Sequence, residues 1–527
     1  LVQAVPVTAS HSNRADRWAH RLTRRSALAT LALVALLAPG CSSDDDDGAA
    51  TRTTEPAVTT SADRGSDPSP RPAGPAADLS EEITGANDPF IGAAPGNVLA
   101  TDFVEHEYVA AGTADGYEAT GDLGTDGRWT FEPGGTADYR TRILVRRPAE
   151  ATDASGTVIV EWLNVSAGLD ANPEFASVSE EIVRRGHTWV GVSAQLIGVE
   201  GGPVLVQAPG AEEYVGKGLT GIDPERYGSL DHPGDAFAFD IYTQVARALR
   251  EGGEPLGGAV PDVILAAGES QSALALTTYY NGVQPLTLAF DGFLVHSRAS
   301  VALPLGGPGE YADLAGSLSG AAPALLRGDL DAPAIELQAE SDVIGVLDSI
   351  EVRQPDSPTY RLWEVAGTAH ADVHLMGSVA DGLDCGVPIN DGPMHVVAKA
   401  ALRGLEEWVR GGDAPASAAV LEVTPDDEPE FVRDEDGIVI GGIRTPPVDV
   451  PVDVLSGEAG PNPDLLCILL GSTIALSDER LAERYEDRTD YQARYEDAID
   501  QTIASGFALE EDRDALLAFA QPDRIAE

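Results

Sequence analysis

The chain has 527 residues, room for one large domain with additions or for two to three domains. At 43% hydrophobic residues it can bury a sizeable core. Its formal net charge of −52 repels phosphate backbones, and no basic patch interleaved with aromatics occurs in the body, which argues against nucleic acid as a partner.

The N-terminus runs against that acidity. Arg14, Arg17, Arg21, Arg24 and Arg25 precede the apolar run "ALATLALVALLA" (27–38), which leads into "PGCSSDDDD". A basic start, a short apolar core and a small residue before the break make residues 1–40 read as an export signal. The run is too short to span a bilayer, which takes roughly 20 apolar residues. Leu36, Leu37, Gly40 and Cys41 together resemble a bacterial lipoprotein signal, in which the cysteine is lipidated, although Pro39 departs from the usual pattern. "TRRSAL" (23–28) resembles a twin-arginine motif. The expectation is an exported protein held to the outer face of the cell membrane through lipid on Cys41, or else a freely secreted one; the lipid is the sole membrane contact expected. Residues 41–88 hold few large apolar side chains and read as a disordered acidic and Pro/Thr/Ser-rich tether.

Residues 89–414 read as a core in which strands and helices alternate. "DFVEHEYVA" and "YRTRILVRRP" are expected strands around a Gly-rich loop, and "GTVIVEWLN" (156–164) is a more continuously apolar third. Asn172-Pro173 offers a cap and a first-turn proline for a helix ending at Gly186. The strand "HTWVGVSAQ" follows, then an irregular Gly-rich stretch over 196–230, then a helix from about Phe237. After "VILAAGE" and its helix come the strands ending "FLVHSRA", "PAIELQAE" (333–340) and "YRLWEVAG" (360–367), and a long helix from about Met394 to Val409. This alternation predicts an α/β fold with a mainly parallel sheet covered on both faces. Residues 415–527, with the hairpin "PEFVRDEDGIVIGG" and a helix carrying Tyr491, Tyr495, Ile499 and Ile503 in one row, read as an α+β appendage packed on the core.

The chemistry centres on "VILAAGESQSALALTTYY" (263–280). A buried strand, then Gly268-x-Ser270-x-Ser272, then a helix with Ala273, Leu276 and Tyr280 on one face and a stop at Asn281-Gly282, is the sequence form of a nucleophile elbow. The turn is so tight that the residues two before and two after the serine must be small. A serine hydroxyl needs a base to take its proton and an acid to orient that base. Of the histidines beyond the last strands, His370, three residues past a strand end, is the candidate base; His374 and His395 lack that placement. Asp342, just past the end of the preceding strand, is the candidate acid, with Glu340 as the alternative. Oxyanion donors are expected from the backbone of Gln271 and of Asn164 or Val165. His370 and His374 stand four apart, but the glutamate of a His-Glu-x-x-His site is missing, so no metal is expected; nor is an organic cofactor. Cys385 and Cys467 are left over from Cys41 and form a candidate disulfide in an oxidising compartment.

The runs "VIVEWLNVSAGLD", "GESQSA", "RLWEVAGTAHAD" and "GGIRTPPVDVPV" resemble a family of bacterial α/β-hydrolase domain proteins over roughly residues 90 to 525. The resemblance implies the α/β-hydrolase fold and a serine hydrolase site at Ser270 with His370 as base. The resulting expectation is a hydrolase of small-molecule carboxylic esters. Acyl transfer on the same residues and a non-catalytic surface binding module are the alternatives.

Overall fold

The computed structural model describes residues 71–92, 100–207, 211–426, 428–462 and 464–527. The expected signal, Cys41 and residues 41–70 of the expected tether lie outside them. The strands of the main sheet are β1 (Asp78–Glu82), β2 (Phe103–Ala119), β3 (Phe131–Pro148), β4 (Thr157–Trp162), β5 (Thr188–Val192), β6 (Val263–Glu269), β7 (Gly292–His296), β8 (Ala334–Ala339) and β9 (Tyr360–Val365). The principal helices are α1 (Pro173–Arg185), α2 (Ala238–Arg250), α3 (Gln271–Thr278), α4 (Met394–Val409), α5 (Leu465–Leu469) and α6 (Arg488–Ala504).

The sheet runs β1-β2-β3-β5-β4-β6-β7-β8-β9. β4 to β9 pair in parallel, while β1, β2 and β3 add an antiparallel edge. Parallel strands must be covered on both faces, and the alternation of side chains does this here. Val158, Val160 and Trp162 of β4 face the layer of α2 and α3, where Ile241, Tyr242, Val245 and Leu276 pack. Ile159 faces the other way, with Trp189, Leu265 and Leu337, onto Phe175, Val178 and Ile182 of α1 and Val397, Ala401 and Leu405 of α4. From β4 the chain turns to β5 on one side, then returns to lay β6 on the other. That reversal opens a crevice at the C-terminal ends of β4 and β6, the usual ligand position in open α/β sheets.

Several local expectations change. Residues 71–88, assigned to the tether by composition, belong to the folded body: β1 pairs antiparallel with β2, and Ala77, Leu79 and Ile83 are buried. β2 and β3 extend through the Gly-rich stretch as one long antiparallel pair, with an irregularity between Asp115 and Tyr117. The N-terminus of α1 is capped by the carboxylate of Glu161 on β4 rather than by the Asn172 side chain; Glu161 accepts from the N–H groups of Glu174 at 3.1 Å and Phe175 at 2.9 Å, and from Trp189 Nε1 at 2.8 Å. Asn281-Gly282 does not end α3. The chain continues through a wide π-turn at Tyr279–Val283 and ends only at Leu288, which takes φ 46°. Gly282 serves close approach, since a Cβ there would meet the Phe131 ring at 2.0 Å.

Residues 415–527 pack against this core. Val365 of β9 bridges in parallel to Ile443, the hairpin closes with Arg433 opposite Val439, and Tyr491, Tyr495 and Ile499 of α6 lie in one cluster with Val396 of α4. Cys385 and Cys467 are joined as a disulfide with Cα atoms 5.4 Å apart.

Candidate active site

Every residue of β6 is buried, so the strand enters the turn fixed on both faces. Ser270 follows at φ 64°, ψ −120°, outside the regions open to an ordinary L-residue. Its N–H is held by His296 O at 2.9 Å. The small-residue rule is visible directly: a Cβ on Gly268 would lie 2.9 Å from the Cβ of Ser272 and 3.3 Å from its backbone carbon. Ser272 is accommodated, although its buried hydroxyl has no hydrogen-bond partner.

Ser270 Oγ lies 2.8 Å from His370 Nε2, and His370 Nδ1 lies 2.8 Å from Asp342 Oδ1. The three side chains come from the ends of β6, β9 and β8, and their proximity follows from the parallel register that aligns those ends. Asp342 sits in a single helical turn, Glu340–Val343, and its second oxygen accepts from Ala339 N–H at 2.7 Å and Ser297 Oγ at 2.6 Å. His370 N–H donates to Ser341 Oγ at 2.7 Å. Burial works to lower the pKa of His370, but the charge of Asp342 and its hydrogen bond, helped by Glu269, outweigh that and raise it above the ordinary 6.5. The set can therefore carry a proton from the serine to an imidazole whose cationic form is stabilised.

Glu340 is not part of this chain. It starts the same turn, but its carboxylate accepts from Gly367 N–H at 2.9 Å and Arg433 Nη2 at 2.8 Å, tying the residue-415-to-527 segment to the core. Asn164 is excluded as an oxyanion donor, because its N–H is committed to Ala171 O at 2.8 Å. Val165 N–H points to the site but donates to the side-chain Oε1 of Gln271 at 3.1 Å. That side chain in turn donates through Nε2 to Gln195 Oε1 at 2.6 Å. The backbone N–H of Gln271 is at the first position of α3, where no intrahelical acceptor exists. A substrate oxygen there would meet the Gln271 N–H directly, and the Val165 N–H once it displaces Gln271 Oε1.

Sequence reasoning missed Ser297 and a buried group beneath the elbow. Ser297 also has positive φ, 54°, one of four such non-glycine residues among those described. Two of those four thus lie at this site, as expected where strain is held for function. Beneath Ser270, His296 Nδ1 lies 3.0 Å from Glu174 Oε2 and 3.6 Å from Glu269 Oε2. Burial works to lower His296, but the two carboxylates raise it to about 9. Burial pushes Glu269 up to about 7, against the pull of His296. This trio has ligand atoms within 4.8 Å of one another, close enough to hold a cation, yet the ion pairing within it already balances much of its charge. The rings of His374 and His395 stack on each other with centroids 3.8 Å apart and belong to no such set among the described residues; His374 Nε2 contacts Ala176 O at 3.2 Å, while both nitrogens of His370 are engaged by Asp342 and Ser270.

A doubly covered parallel sheet with a serine turned up at the end of its central strand defines an α/β-hydrolase fold and, at the level of class, a hydrolase. The chain belongs to the alpha/beta hydrolase domain family, whose profile matches residues 70–518. No curated protein matches the chain. Solved structures similar to it include a Xanthomonas campestris α/β serine hydrolase described as lacking a lid, at 14% identity over 59% of this chain and 98% of that one, with a TM-score of 0.29. A thermostable esterase from Pseudomonas putida is similar at 14% identity, covering 57% of this chain and 83% of that one, with a TM-score of 0.29. A Rhizomucor miehei esterase is similar at 11% identity over 57% and 85%, with a TM-score of 0.28. The assignment of fold rests on the family and the sheet, not on these distant likenesses.

Proposed function

We propose that the protein hydrolyses small-molecule carboxylic esters through an acyl-enzyme. The observation that carries this is the continuous hydrogen-bonded run from Ser270 Oγ through His370 to Asp342, with the serine at a strained elbow. His370 Nε2 takes the serine proton as Oγ attacks the ester carbonyl, and Asp342 holds the imidazole in the tautomer that leaves Nε2 free to accept. The carbonyl oxygen, now negative, is met by the Gln271 N–H and by the Val165 N–H released from the Gln271 side chain. Donors preset in this way supply several kcal/mol of barrier lowering, about 3 per donor in other enzymes. His370 then returns the proton to the departing alcohol, and water, deprotonated by the same imidazole, cleaves the acyl group from Ser270.

Hydrolysis of p-nitrophenyl acetate by the wild-type protein, compared with Ser270→Ala and His370→Ala, tests this reading. Turnover that survives both substitutions would refute it. Product analysis with an added alcohol separates water from an alcohol as the acyl acceptor. The export reading stands on residues 1–41: we propose that Cys41 carries a lipid, so that Cys41→Ala would release the protein from the membrane fraction.

A further inference from the structure

A cavity of about 70 Å³ opens at Ser270 and His370. Four segments far apart in sequence wall it: Leu205 and Val206 from one loop, Leu314 and Leu318 from the helix Leu314–Gly320, Val346 and Leu347 after the Asp342 turn, and Leu465 and Leu469 from α5. Leu274 of α3 also lines it, and among the described residues Ser166 is the sole polar lining residue besides Ser270, Gln271 and His370. Among the described residues, no Lys, Arg, Asp or Glu lines it.

Three of these walls are tied down separately. The N–H groups of Leu205 and Val206 both donate to Ser166 O, at 2.9 and 3.2 Å. The segment leading to Leu314 is held by Asp235, which accepts from Ala312 N–H at 2.8 Å. α5 carries Cys467 between its two lining leucines and is bonded through it to Cys385. Leu469 O also accepts from Ala371 N–H at 3.1 Å, the residue directly after His370. Each of these three walls is thus held by the body of the fold, and α5 is held beside His370 itself, so the cavity's size is set by the fold.

Resting on the esterase reading above, we infer that this cavity receives the acyl arm of the substrate, and that the arm is compact, apolar and uncharged. Gln271 and Ser166, the residue after Val165, line the cavity beside Ser270, so the space adjoins the carbonyl carbon and takes one of its two substituents; the paired acyl and alcohol series below decide which. A cavity of about 150 Å³ holds benzene, which places room here for about three carbon atoms. A carboxylate on the acyl arm would be buried with no cation among the lining residues to pair it, a heavily penalised arrangement.

The test is kcat/KM for p-nitrophenyl acetate, butyrate and octanoate and for the p-nitrophenyl half-ester of succinate. A parallel series holds acetate and lengthens the alcohol. The expected result is at least a tenfold fall from butyrate to octanoate and from butyrate to the succinate half-ester. The alcohol series should change less than threefold. Leu318→Ala should raise the octanoate-to-butyrate ratio at least fivefold, and Leu469→Ala should do so from the opposite wall if the first variant fails to fold. Fluorophosphonate labelling of Ser270 separates two kinds of failure. A labelled protein whose rate is flat or rises with acyl length, or whose length dependence lies in the alcohol series, overturns the cavity assignment alone. A protein neither labelled nor active overturns the esterase reading beneath it.

Discussion

Removal of the Cys385–Cys467 disulfide is expected to destabilise the protein substantially. The bond closes a loop of 82 residues that runs from the segment after His370, through α4 and the hairpin, to α5. Cross-linking a loop of that length removes about 15 cal/mol/K from the unfolded chain, or about 4.5 kcal/mol at 25 °C. A unit the size of Ser66–Glu527 unfolds with an entropy on the order of 1 kcal/mol/K, so the melting temperature should fall by about 4 to 5 °C. Scanning calorimetry with and without reductant measures this directly, alongside a thiol titration showing that both cysteines have become free. Cys385→Ser/Cys467→Ser should reproduce the shift without reductant. A protein with both thiols titrated and its melting temperature within about 1 °C of the oxidised form would refute the reasoning.

Four further outcomes are expected. Asp342→Asn should leave the fold intact and lower kcat by about 10⁴, the scale seen when a triad aspartate loses its charge, measured by steady-state kinetics beside a melting curve. The pKa of His370 is raised and its neutral form is the base, so kcat/KM should fall as pH drops through a midpoint above 6.5; a pH profile with its acid midpoint below 6.5 would contradict this. Ser272→Ala removes a buried hydroxyl that has no partner and should be neutral to stabilising by about 1 kcal/mol with activity retained, whereas Gly268→Leu, forced against Ser272, should abolish activity and lower the melting temperature.

The positions of Ser270, His370 and Asp342 were legible because each stands at or just past the C-terminal end of a strand that the apolar pattern reveals. A parallel sheet brings such ends together whatever the intervening sequence. Choosing Asp342 over Glu340 was also within reach, since a residue in the turn beyond the strand can aim at the crevice. What Glu340 does instead was not legible, because it depends on Arg433, 93 residues away. The Glu174–Glu269–His296 cluster was hidden for the same reason: its members lie on α1, β6 and β7 and share no local spacing. Asn164 misled because backbone availability is decided by pairing, and the short bridge to Ala171 consumes its N–H. β1 escaped notice because an edge strand with one buried face needs few apolar residues, and "DLSEE" buries only Leu79. Asn281-Gly282 has the composition of a stop, but packing against Phe131 gives its glycine another purpose.

The central claim is that Ser270 is an activated nucleophile, and fluorophosphonate labelling with peptide mapping tests it most directly. The expected result is a single adduct on Ser270, absent from Ser270→Ala and strongly slowed in His370→Ala. An unlabelled wild-type protein, beside an esterase control that reacts under the same conditions, would contradict it.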